Sequence, residues 1–211
     1  MAWPVRRTVG GWSPRPLPRR GFADLLAARR SHRALARPTL GDVLDVVAAA
    51  TLVGFLLPGD PLGRSRRTAP SAGALHPISV VVLRPGPLPM RVDPWSGRLQ
   101  ALRPADGAAL HRGAERLHEM LPDGEPTFLA LLGDLGLVDA AYANPGSLLW
   151  RDAGALLATL HLCASALGLG FCPLGALGGE VAAALFPNES RVVACGAAAL
   201  GVPNTPAPAE Q

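Results

Sequence analysis

The sequence predicts an α+β fold, a mainly antiparallel sheet packed with helices. Three observations predict it. Apolar residues make up 49% of the 211 and charged residues only 17%, enough to close one buried core. Apolar runs at 78–83, 127–132 and 192–200 have the length of buried strands. Helical patterns lie among them without the strict strand–helix alternation of a parallel sheet.

The first 21 residues read as a basic arm rich in Trp and Pro. Arg6, Arg7, Arg15, Arg19 and Arg20 fall there with no acid, and taking those five from the formal charge of +4 leaves −1. The arm reads either as a mobile terminus or as a contact for an acidic partner or a second subunit. A domain over 22–202 follows. Phe22 to Leu35 has helical spacing and a basic last turn, and Thr39 is placed to cap a helix over Leu40–Phe55. Residues 57–77 are loop, and Val80–Leu83 is strand. Arg91–Asp93 and Arg98–Leu102 flank a Pro-Trp-Ser-Gly turn, as in a hairpin. Ala105–Leu121 is helical and Thr127–Leu132 a buried strand. Leu149–Leu169 is the longest helix, stopped by Gly168 and Gly170. Phe171–Leu174 is extended, Glu180–Phe186 a short helix and Val192–Leu200 a last buried strand. The Pro/Ala-rich tail, 203–211, is expected to be disordered.

Several function classes are disfavoured. No apolar run reaches the roughly 18 residues of a membrane helix, and the first residues lack the apolar segment of a secretory signal. No basic stripe with interleaved aromatics points to nucleic acid. Cys163, Cys172 and Cys195 have no metal-ligand spacing and read as reduced core thiols of a cytoplasmic protein. His111 and His118 are seven apart with no third ligand near, so no metal site is expected.

Three segments carry chemistry. Arg29-Arg30-Ser31-His32-Arg33 gathers three guanidiniums and a hydroxyl within about one and a half helical turns. That set suits a phosphate, and equally a basic helix end. Pro70-Ser71-Ala72-Gly73-Ala74-Leu75-His76-Pro77 is a rigid loop of small residues that a flat ligand can approach closely. His76 reads as a general base or as a turn-stabilising histidine. Cys172-Pro173-Leu174-Gly175-Ala176-Leu177 follows the longest helix and two glycines.

In that order and at those separations, the three segments resemble the flavin-binding parts of the nitroreductase family. The Pro-Ser-x-Gly-x-Leu-x-Pro wording is most similar to SagB-type azoline dehydrogenases. The resemblance implies a homodimer with FMN at its interface. Arg29, Arg30, Ser31 and Arg33 would hold the phosphate. Pro70, Ser71, Ala72 and Gly73 would lie along the ring, as would Leu174, Gly175 and Ala176. Asp152-Ala153-Gly154 matches the family's Asp-Ala-Gly signature, with Ala153 and Gly154 read as packing residues. In azoline dehydrogenases a Lys-Tyr pair precedes that signature by about ten residues. Tyr142 stands in the tyrosine's place and implies a catalytic role, while the lysine position is Ala141. Ala74 replaces the asparagine many relatives use at the flavin edge, and no Arg or Lys follows Arg191.

The implied function is FMN-dependent oxidation of azolines to azoles in a ribosomally made peptide, with a cyclodehydratase as a possible partner. The alternatives are an NAD(P)H-fed flavin reductase or nitroreductase, and a non-catalytic scaffold subunit.

Overall fold

The two most continuous apolar runs become the central strands of one sheet, where both faces are covered and alternation with polar residues is unnecessary. The computed structural model describes residues 1–10, 12–56, 59–60, 64–86 and 88–204. In chain order the elements are strand β1 (Val5–Val9), helix α1 (Phe22–Ala28), β2 (Leu35–Ala36), α2 (Leu40–Thr51) and a small hairpin of β3 (Phe55–Leu56) and β4 (Ser65–Arg66). A 3-10 turn (Ala72–Ala74) leads into β5 (Ile78–Leu83), β6 (Met90–Val92), β7 (Leu99–Leu102) and α3 (Gly107–Glu119). Then come β8 (Thr127–Asp134), α4 (Leu135–Asp139), α5 (Pro145–Ala166), β9 (Gly170–Leu174), α6 (Gly179–Leu185) and β10 (Val192–Pro203). The main sheet runs β1-β7-β6-β5-β8-β10-β2, with β9 also on β10. Its strand pairs are all antiparallel.

Alternation along β5 and β8 sends side chains to two cores. Val80 and Val82 of β5 and Leu129 and Leu131 of β8 join Val43, Val47, Leu156 and Leu160 of α2 and α5. Val81, Leu83, Phe128, Ala130 and Leu132 join Leu117, Val181 and Leu185 of α3 and α6 on the other face. Each fully buried Leu or Val stabilises the fold by roughly 1.5–3 kcal/mol before entropy is counted. Helix α2 starts as expected: Thr39 accepts from the Asp42 N–H at 3.1 Å, and the Asp42 carboxylate accepts from the Thr39 N–H at 3.2 Å. Helix α5 closes at Gly168, whose φ of +76° suits the position after a helix end, while Leu169 N–H reaches back to Ala164 at 2.8 Å.

Three expectations are corrected. The helix expected over Phe22–Leu35 stops at Ala28, because residues 30–32 bond to β9 and α5 and Leu35 enters β2. The helix expected to reach Phe55 stops at Thr51, since Phe55 pairs with Arg66 in the small hairpin. The basic arm lies on its own chain: β1 pairs with β7, and Trp3 packs edge-on against Phe186 at 5.2 Å and under the Arg91 guanidinium. Farther along, Arg15 is bound to the carboxylates of Asp42 and Asp45. Of the expected tail, Pro203 pairs with Leu35 in the sheet, and residues 205–211 lie outside the described residues. The three cysteines are unpaired and buried, and burial pushes the Cys163 and Cys195 thiols up to about 11. No helix among the described residues is long and apolar enough to cross a membrane.

Candidate active site

The Pro-Ser loop is held by one buried carboxylate. Asp152 lies on α5 and is 7% exposed. Its Oδ2 accepts from the Ser71 hydroxyl at 2.5 Å and its Oδ1 accepts from the Ala72 N–H at 2.9 Å. Ser71 Oγ in turn accepts from the His76 N–H at 2.9 Å, which closes the loop on itself. Such bonds to a charged group are the stronger kind. They restrain a backbone that needs restraint, because Gly73, Ala74 and His76 have φ of +58°, +57° and +50°. For a residue with a side chain that conformation costs on the order of 1–3 kcal/mol and persists only where the surroundings impose it.

His76 serves that restraint too. Its Nε2–H donates to the Ser65 carbonyl of β4 at 2.8 Å. Burial and the neighbouring Arg67 lower its pKa, so the ring is neutral near pH 7. Arg67 is half-buried, lies 5.5 Å from the Trp95 ring, and is pushed down to about 10 by burial. The gap among Arg67, Ser71, His76 and Asp152 is about 20 Å³, room for a water and not for a substrate.

Tyr142 follows α4 and brings its hydroxyl over Gly73, where the Cβ of an alanine would overlap it. Glycine at 73 therefore meets two demands at once, a left-handed backbone and space for the phenol. The phenol sits at the surface, 36% exposed.

The arginine segment is extended, not helical. His32 N–H donates to the Phe171 carbonyl at 3.0 Å, and Ser31 bridges to Phe171 as a parallel strand would. His161 of α5, buried and 5.1 Å from the Phe171 ring, donates its Nε2–H to the Arg30 carbonyl at 3.1 Å. Burial lowers the His161 pKa and keeps the ring neutral. Arg33 Nη2 donates to the Met120 carbonyl at 3.0 Å. The Met120 methyl group lies 3.8 Å from where a Cβ at Gly175 would stand, so the segment and the loop after β9 are neighbours. Arg29, Arg30 and Ser31 are exposed, and their side chains bond to no other described residue. The N–H groups of Gly175 and Ala176 likewise have no acceptor among the described residues. Two free guanidiniums and a hydroxyl on the segment that bridges to β9, and unclaimed backbone donors just after β9, are the kinds of donor that suit an anion joined to a flat polar ring.

Two pinning residues escape a reading of the sequence alone. Asp152 looks like part of a small-residue packing motif, and His161 like a polar interruption of an apolar helix. The signal available for both is a polar residue at a buried phase of α5. They are nine residues apart, two and a half turns, so they face opposite sides of that helix. The Pro-Ser loop and the arginine segment of one chain consequently flank α5 from opposite sides.

A putative nitroreductase from Ralstonia eutropha JMP134 matches with a TM-score of 0.65 and 19% identity, over 95% of this chain and 99% of that one. A chain of the E. coli microcin synthetase McbBCD complex with truncated pro-MccB17 bound matches with a TM-score of 0.60 and 20% identity, over 82% of this chain and 66% of that one. A putative nitroreductase in complex with FMN from Desulfovibrio desulfuricans matches with a TM-score of 0.58 and 20% identity, over 89% of each chain. No curated protein matches the chain in sequence. The model of the nitroreductase family covers residues 26–201, spanning all three candidate segments, and the chain belongs to the nitroreductase family.

Proposed function

We propose that this protein is an FMN-dependent oxidoreductase, works as a homodimer, and dehydrogenates azoline rings of a ribosomally made peptide to azoles. The observation that carries the dimeric flavin site is the opposed placement of Asp152 and His161 on α5. A two-fold pairing through α5 joins the arginine segment of one protomer to the Pro-Ser loop of its partner. Trp150, Gly154 and Ala158 lie one turn apart on an exposed strip of that helix, and nothing stands within 4 Å of a Cβ at Gly154. Gly154→Trp is expected to leave the monomer folded and to convert the dimer to monomer in light scattering after gel filtration. Loss of flavin accompanies it. A Gly154→Trp protein that stays dimeric and yellow overturns this pairing.

Arg29, Arg30, Ser31 and Arg33 bind the phosphate of FMN. The N–H groups of Gly175 and Ala176 orient the ring edge, and Pro70–Gly73 bounds the ring face. Bound FMN supplies a two-electron acceptor for a hydride. Dehydrogenation of an azoline also releases a proton. Tyr142 is the group to take or relay it, because its hydroxyl is over Gly73 and open to solvent. His76 has its Nε2–H committed to Ser65, so its part is to hold the loop.

The microcin synthetase chain supports the peptide reading, since that complex is described with a truncated pro-peptide bound. A cyclodehydratase that forms the azoline is then the expected partner. The unpaired buried cysteines fit a reducing, cytoplasmic setting. The absence of any lysine, with Ala141 beside Tyr142, favours as second reading a reductase fed by NAD(P)H.

One set of measurements separates the readings. The purified protein is examined for a visible spectrum with the chromophore released and identified. The flavin is then challenged anaerobically with an azoline peptide and, separately, with NAD(P)H. Bleaching by the peptide alone supports the dehydrogenase, and bleaching by NAD(P)H alone replaces it with the reductase. A colourless protein that takes up no FMN sinks both. Tyr142→Phe is expected to keep its flavin and lose about 10²–10⁴-fold in peptide turnover. Unchanged turnover removes Tyr142 from the chemistry.

A further inference from the structure

A cavity of about 540 Å³ opens on the face of the sheet opposite α5. It is lined by Leu83 of β5, Phe128 of β8 and Leu110 of α3, with Arg37, Arg84 and His118 among its polar groups. Leu83 and Phe128 belong to the core shared with α3 and α6, whereas Asp152 and His161 lie on α5, so the sheet separates this cavity from both α5 pins. Its size is that of a small-ligand site.

Among the described residues, the Arg, Asp and Glu side chains that line it are paired, with one exception. Arg37 pairs with Glu125 at 3.0 Å and His111 with Glu115 at 3.1 Å, all four largely exposed. Arg84 carries a buried Nη1 with no hydrogen-bond partner among the described residues. A buried guanidinium nitrogen left unpaired is costly, and its desolvation together with the nearby Arg37 disfavours the cation. A bound anion removes that cost. A planar guanidinium fork matches a carboxylate, and the walls beside it are aliphatic and aromatic. Glu115 and Glu125 repel a more highly charged group such as a phosphate dianion, and one unpaired cation calls for one negative charge.

We propose that this cavity is a second ligand site that takes an apolar monocarboxylate, its carboxylate on Arg84 and its body against Leu83, Leu110 and Phe128. The carboxylate comes either from a free small acid or from an acidic side chain in an apolar peptide.

The test is calorimetric titration of the 211-residue chain with FMN at saturating concentration. The probes are 4-phenylbutyrate against 4-phenylbutanol, and a doubly blocked Phe-Asp-Leu peptide against Phe-Asn-Leu. One site is expected for at least one acid, with its neutral counterpart at least about tenfold weaker. Which acid binds identifies the source. Arg84→Gln is expected to erase the preference for the acid. Leu110→Trp, which fills the cavity from the α3 side, is expected to abolish binding while the circular dichroism spectrum is retained. Should Arg84→Gln not fold, Leu110→Trp decides. The proposal is overturned if neither acid saturates, if the neutral probes bind equally well, or if Arg84→Gln binds the acid unchanged.

Discussion

Asp152→Ala is expected to lower the midpoint of thermal unfolding by about 4–16 °C and to strip the protein of bound flavin. The reasoning starts from the two bonds this carboxylate accepts, from Ser71 and from the Ala72 N–H. Hydrogen bonds to a charged group contribute on the order of 1.5–3 kcal/mol each. Relief of the cost of burying the carboxylate offsets part of that, which leaves about 2–4 kcal/mol. For a domain of this size roughly 1 kcal/mol corresponds to 2–4 °C. The second half of the effect is conformational. Ala74 and His76 hold left-handed backbone angles that the Ser71–Asp152 network imposes. Without it the loop relaxes and the ring loses one wall. Asp152→Asn keeps the volume and one acceptor, so it should recover part of the stability. The decisive readout is differential scanning calorimetry on apoprotein and flavin-loaded protein of all three forms. An Asp152→Ala apoprotein melting within 2 °C of the parent would show that the loop holds its shape by other means.

Joint replacement Arg29→Gln and Arg30→Gln has the opposite signature. Both side chains are exposed and bond to no other described residue, so the apoprotein should melt unchanged. Affinity for FMN should fall by about two to four orders of magnitude, the effect of two charge-assisted bonds at 1.5–3 kcal/mol each. Raised salt should weaken the parent's binding of FMN more than the double variant's. Fluorescence titration of the apoprotein measures this. Unchanged affinity would move the phosphate elsewhere and remove the arginine segment from the site. The two predictions thus divide the site into a part that supports both the fold and the ligand and a part that serves only the ligand.

Local rules made most of the fold legible. The runs now seen as β5, β8 and β10 are apolar because the central strands face a core on both sides, and that composition is readable without partners. Thr39 announced α2 as its N-cap, and the capping box it forms with Asp42 needs only bonds that span three residues. Gly168 announced the end of α5. Strand β1 was not legible: all five of its residues are exposed, so no apolar period marks it, and its partner is β7, some ninety residues on. Helix α4 is too short for a period, and its cap, Asp134 accepting from the Leu137 N–H at 3.2 Å, is seen only in the structure.

The candidate site divides the same way. Residue types and spacing alone determined that a phosphate-suited arginine cluster, a small-residue loop and a glycine-bearing corner exist in this chain, since these depend on side-chain chemistry within a few neighbours. Only the tertiary structure decided what they adjoin. The arginine segment abandons helix because Phe171 and His161, both more than a hundred residues later, take its backbone groups. Tyr142 meets Gly73 across about seventy residues, and Asp152 meets Ser71 across eighty-one. These contacts arise when the two cores close on the sheet, a non-local event that no local propensity encodes.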